Sequence, residues 1–212
     1  MNYIIELFTN KIELPKSYHN FVDKRTIFGI PNGMDILSNL FIALPAFYLI
    51  TKQKKISFLS FNILLLALTS AIYHVNPTDN TIFMDMIFVV SLNTVVLSYF
   101  VNKQIGYFIY LLGILSVFYS KKNNDIRLYE LLKIVIPIYV IIIIYKDHNH
   151  SNISNHILLI IILSILIRYS EFHDKEIYQL TNKLISGHTL KHIIAGINIY
   201  IIIKVLEKLN KI

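Results

Sequence analysis

Three histidines, one aspartate and one serine carry the chemistry that this sequence can do. His188 and His192 stand four apart in Ser186-Gly-His-Thr-Leu-Lys-His192. On a helix that spacing puts both imidazoles on one face, one turn from each other. The run that follows, residues 193–205, is mostly Ile with Ala, Tyr and Val. Ionisable residues at the head of a membrane-spanning helix are costly, and by default they mark a functional site. Ser70 and His74 are again four apart, at the end of another apolar run that Pro77 stops, and Asp85 follows eleven residues after His74. Such a set suits a catalytic zinc, which takes three protein ligands and keeps a fourth position for water. His74, His188 and His192 would be the ligands, and the metal would bring the pKa of its water towards 7 and polarise a carbonyl. Asp85 would orient or deprotonate that water, and Ser70 would donate to a developing oxyanion. Spacing equally allows His74, Asp85 and one C-terminal histidine as the ligand set.

Each residue also has an ordinary use. A lone His-x3-His recurs by chance, a serine on a membrane helix commonly bonds its own backbone, and Asp85 could pair with Lys191. His148 and His150 fall in a polar loop and His156 and His173 flank an apolar run, where solvated or interfacial placement is the simpler reading. The argument for chemistry is convergence, and that depends on the elements.

The 212 residues are 55% hydrophobic and only 16% charged, with mean hydropathy +0.56. That leaves too little polar surface for a soluble domain. The net charge of +7 comes from lysines in short clusters between apolar runs, which suits loops facing lipid headgroups and argues against nucleic-acid binding. Without cysteine there are no disulfides and no thiolate ligands. The first residues lack the basic and apolar regions of a cleaved signal peptide.

A spanning helix needs about 20 mainly apolar residues. Residues 1–31 mix charges with Pro15 and Pro31 and read as a short amphipathic helix and a loop. Spans are expected over 34–51, 56–74, 81–101, 105–120, 128–145, where Pro137 could kink the helix, 153–169 and 186–205, with a charged connection over 168–183. The predicted fold is therefore an all-α membrane protein. It is a single seven-transmembrane bundle over 34–205, preceded by an extramembrane segment. Asp35, Ser38 and Asn39 share one face of the first span. Because spans alternate in direction, the start of the first, the end of the second and the starts of the third and seventh meet at one membrane face. Ser70, His74, Asp85, His188 and His192 then lie at similar depth, one to two turns in. The lysines and arginines are too evenly divided to orient the bundle.

With these residues in order, the chain resembles the alkaline ceramidase family, within the wider group of seven-span membrane hydrolases that includes the adiponectin-type receptors. The resemblance covers nearly the whole chain. It rests on Gly29-Ile-Pro-Asn32 through Leu37-Ser-Asn-Leu40, Tyr73-His74, Asp85, Asp125-Ile-Arg-Leu-Tyr129 and Ser186-Gly-His-Thr-Leu-Lys-His192. It implies zinc on His74, His188 and His192, with Asp85 and Ser70 acting on water and oxyanion. It also implies an N-terminus on the lumenal or outer side, and hydrolysis of ceramide or a related N-acyl lipid to a fatty acid and a sphingoid base. Animal and yeast members resemble one another in an N-terminal calcium site of Asp, Trp, Glu and Asn. This chain has no Trp, and Asp23, Asn32 and Asp35 are the residues left to such a site. They offer fewer oxygens than the six to eight that calcium takes, so that site carries over only in part. No basic residue stands beside Asp85 either.

The expected partners are thus the bilayer and a membrane lipid substrate. A seven-span lipid receptor with a structural zinc is the rival reading, although a receptor would be expected to carry a soluble extension. A proton relay would want ionisable groups spread through the membrane depth.

Overall fold

The computed structural model describes residues 9–147 and 153–212. Among them are a 3-10 turn, Lys16–His19, and eight α-helices: α1 Gly33–Gln53, α2 Phe58–Val75, α3 Asp79–Ser98, α4 Lys103–Asn123, α5 Arg127–Asp147, α6 Ser154–Phe172, the short α7 Asp174–Leu180, and α8 Gly187–Lys208. The start of the N-terminal segment, where an amphipathic helix is expected, lies outside the described residues, as do His148 and His150. From residue 11 the segment is a loop carrying the 3-10 turn and a tight turn in which Ile27 and Ile30 exchange backbone hydrogen bonds of 3.0 Å.

Local sequence explains where the helices start. Ser57 and Thr78 form capping boxes with Ser60 and Thr81, and the side chains of Asn102 and Ser186 accept backbone N–H groups at the starts of α4 and α8. Pro137 sits inside a continuous α5. Helix α6 runs on through Phe172, so Arg168 and Glu171, expected in a connection, belong to a helix instead.

Among the described residues six helices, α1, α2, α3, α5, α6 and α8, are long and apolar enough to cross a membrane. The count of seven is not reached because of α4. It has 21 residues, but Lys103, Lys121 and Lys122 at its ends and Tyr107, Tyr110 and Tyr119 within it dilute its apolar character. Large apolar side chains point outward, among them Leu40, Leu44 and Phe47 of α1 and Leu158, Ile162 and Ile165 of α6. An apolar exterior of this extent would be a liability in water and is the ordinary surface of a bundle in lipid. The chain is built as a multi-pass membrane protein.

Helix α1 packs between α2 and α8; α3 packs on α2, α4 and α5; α6 packs on α8. Ala46, Ile63 and Ile203, all fully buried, lie at the heart of this core. The α1–α8 contact is close because Gly196 has no side chain: a Cβ there would meet the backbone carbonyl of Phe41. Side chains of α3, α5, α6 and α8 line a cavity of about 1110 Å³ that is mainly aliphatic, with Ser70, Asp85, Lys191 and His192 among its polar residues.

Candidate metal centre

Helix α2 delivers His74 from its last turn, and α8 delivers His188 and His192 from its first two. Their ring centroids are 4.8 to 5.0 Å apart, and one ligand nitrogen from each lies within 4.8 Å of the others. All three are buried, at 1%, 9% and 4% exposure. Among the described residues they form the only group of three or more His, Cys, Asp or Glu side chains placed to hold a metal ion. A tetrahedral ion with Zn–N bonds of about 2.05 Å sets its nitrogens about 3.3 Å apart. The Nε2 atoms of His74 and His188 are separated by 3.2 Å, so that pair already stands at ligand spacing.

The third imidazole is oriented by α1. His192 Nδ1 lies 2.7 Å from Ser38 Oγ and 3.2 Å from the Asp35 carbonyl oxygen. A carbonyl only accepts, and Ser38 Oγ itself donates to that carbonyl at 2.8 Å, so Nδ1 carries the proton and Nε2 keeps the lone pair. Fixing the tautomer through the second ring nitrogen is how proteins commonly aim a metal-binding histidine. The Asp35 carboxylate anchors α8: Oδ1 accepts from Thr189 Oγ1 at 2.6 Å and lies 3.2 Å from Ser186 Oγ. Asp174 of α7 accepts the His188 backbone N–H at 2.7 Å. Burial pushes the Asp174 carboxyl above its usual range, while the His188 amide pulls the other way. Gly187 makes this approach feasible, since a Cβ there would strike the backbone of Ser170 and Asp174.

The other expected residues divide. Ser70 and Asp85 line the large cavity together with His192. Asp85 Oδ1 is buried and has no hydrogen-bond partner among the described residues. Lys191, its expected ion-pair partner, instead reaches Glu171 at 3.2 Å. Of the residues left to calcium, Asp35 is engaged as above. Asn32 Nδ2 donates to the His74 carbonyl at 2.9 Å, and Asp23 is clasped by Arg25 at 2.5 and 2.8 Å. His173 stacks against Tyr169, with centroids 4.4 Å apart.

Sequence reasoning missed the roof of this centre. The Phe21 ring lies 4.5 Å from His74 and 5.2 Å from His188. Beside it is a second, smaller cavity of about 200 Å³, bordered by Tyr18, Glu171, Asp174 and His188. The N-terminal segment is held down by Tyr18 to Glu171 at 3.0 Å, by His19 to Tyr73 and Asp79, and by the Tyr73 hydroxyl donating to the Tyr18 carbonyl. No periodicity signals such contacts, which link residues 54 to 153 positions apart. No family model, curated protein or solved structure matches the chain.

Proposed function

We propose that the chain is a zinc-dependent amide hydrolase of the membrane interior, a seven-span protein of alkaline ceramidase type that cleaves N-acyl lipids. The observation that carries this reading is the convergence of His74, His188 and His192, the last of which lines a large, mainly aliphatic cavity together with Ser70 and Asp85. The donor set fits zinc: three imidazoles, one pair at ligand spacing, and one ring whose tautomer is fixed with Nε2 available. Zinc held there would supply Lewis-acid polarisation and a water acidic enough to react near neutral pH.

The chain's own residues supply the rest. The aliphatic lining takes the acyl chain, at roughly 0.8 kcal/mol per buried methylene. Ser70, one turn before His74, donates to the amide oxygen as charge builds on it. Asp85, whose buried Oδ1 lacks a partner, takes a proton from the attacking water and passes it to the departing nitrogen. One C–N bond breaks, one C–O bond forms, and the products are a fatty acid and a free amine such as a sphingoid base.

The test is metal analysis and fatty-acid release on one detergent-purified sample, before and after chelation. About one zinc per chain with chelator-sensitive release from ceramide or another N-acyl lipid is expected. Zinc with no turnover of any N-acyl lipid would overturn the hydrolase.

A further inference from the structure

The two ends of the bundle differ in their acids more than in their bases. At the end that holds the histidines, twelve Lys and Arg stand among ten Asp and Glu of the described residues. Arg25, Arg127, Lys133 and Lys191 there are each paired with a carboxylate. At the opposite end α1 passes into α2, α3 passes into α4, and α5 and α8 finish. Eight lysines are gathered there, and the only acidic side chains beside them in the sequence are Glu207 and Asp147. With a terminal carboxylate at Ile212 counted too, that end carries an excess of five positive charges, however the single lysines are paired.

These lysines share one face of the molecule. Glu207 takes Lys52 at 2.9 Å and Lys204 at 2.7 Å, which ties the end of α1 to the end of α8. Lys211 lies over the Phe100 ring at 5.5 Å and so sets the turn after α8 on the connection between α3 and α4. Their neighbours fix the height of that face. Exposed Lys54 and Lys55 lead straight to the outward Ile56 and Phe58, and exposed Lys103 leads to the outward Ile105 and Tyr107. Lys146 follows the outward Tyr145. Each group of lysines therefore borders side chains that face lipid, at the level where headgroups meet a membrane protein.

We infer that this end of the molecule binds anionic phospholipid headgroups, with Lys54, Lys55 and Lys103 as its outermost contacts. The headgroups supply the negative charge that the chain itself lacks there, and basic residues at the rim of a bilayer attract them. A soluble acidic protein matches the charge but not the placement, because the lysines ring helices whose outer faces are apolar.

The test uses the full-length protein in phosphatidylcholine nanodiscs, which expose both leaflets. Each sample holds a trace of spin-labelled phosphatidylserine or spin-labelled phosphatidylcholine, and the fraction of label immobilised by the protein is read. Phosphatidylserine should associate about threefold or more better than phosphatidylcholine at low salt. That ratio should fall towards one at about 1 M salt, where screening acts within about 3 Å. The triple variant Lys54→Gln, Lys55→Gln, Lys103→Gln should lose much of the preference, with circular dichroism confirming the fold. Removing the same charge at the other end, by Lys24→Gln, Lys121→Gln and Lys122→Gln, should leave it in place. Equal association of the two lipids with the unaltered protein would overturn the inference, and so would equal losses in the two triple variants. Binding of soluble polyglutamate without any preference between the lipids would give the face to an acidic protein instead.

Discussion

The proposed function gives His188 and Asp85 different parts, one as a ligand and one as a base, and substitution separates them. His188→Ala removes one of three imidazoles, so zinc should fall well below one per chain and fatty-acid release should vanish with it. Asp85→Asn keeps all three imidazoles. Zinc should stay near one per chain while turnover falls by about 10²- to 10⁴-fold, the usual worth of a positioned general base. Loss of the metal in Asp85→Asn would make that carboxylate a ligand. Ser38→Ala tests the tautomer argument, because His192 then loses its closest partner. Zinc affinity should drop by about 10- to 100-fold, measured by competition with a chelator of known affinity. The histidines were legible in the sequence because spacing and alternation of spans are local and countable properties. Ser38 was visible only as a polar residue on an apolar helix, because its partner lies 154 positions away.

Helices α1 and α8 form the rigid pair on which the centre is built. Gly196 lies directly against the Phe41 backbone, and a backbone cannot rotate aside as a side chain can. Gly196→Val should therefore cost about 1–3 kcal/mol, seen as a thermal midpoint several degrees lower. Activity should fall as well, because α8 carries two of the histidines and α1 carries Ser38. Ile197→Ala, at a position 47% exposed on the outer face, is the control and should leave the detergent-solubilised midpoint nearly unchanged. The apolar runs showed where seven long helices begin and end to within a few residues. They could not show how the helices pack, although composition alone leaves α4, with its lysines and tyrosines, short of the other six in apolar character. Nor could they show that α6 continues through its charges, because those charges are stabilised by partners on α5 and α8.

Across the molecule, the N-terminal segment is fastened by two copies of one small device. In Asp23-Lys-Arg25 and Asp125-Ile-Arg127 the arginine backbone N–H and guanidinium both donate to the aspartate two residues earlier. Arg25 also reaches the Leu184 carbonyl at 2.7 Å, and the Ile126 backbone N–H donates to the Ile12 carbonyl at 2.8 Å. Burial works to raise the Asp23 carboxyl, but the hydrogen bonds from Arg25 outweigh it and hold it below the ordinary range. Arg127 holds Asp125 low in the same way. A carboxyl whose native pKa lies below its unfolded value, about 3.9, adds stability that is present above that value and lost as pH falls through the native pKa. The thermal midpoint should thus be insensitive to these clasps from pH 5 to 7 and decline below about pH 4. Arg25→Met should flatten that decline, as followed by circular dichroism; an unchanged profile would deny Asp23 its part in it.

Because Phe21 covers two of the three imidazoles and its segment is tied down at several points, affinity alone does not govern how long an ion would stay. An ion seated beneath that ring would be shielded on that side by the segment, so its exchange would be slowed and paced in part by the frequency of opening. Raising the concentration of an external scavenger would then speed its release less than in proportion. Occupancy would be decided in part when the segment closes, a kinetic memory that helps a membrane protein to retain its ion through intervals of scarcity.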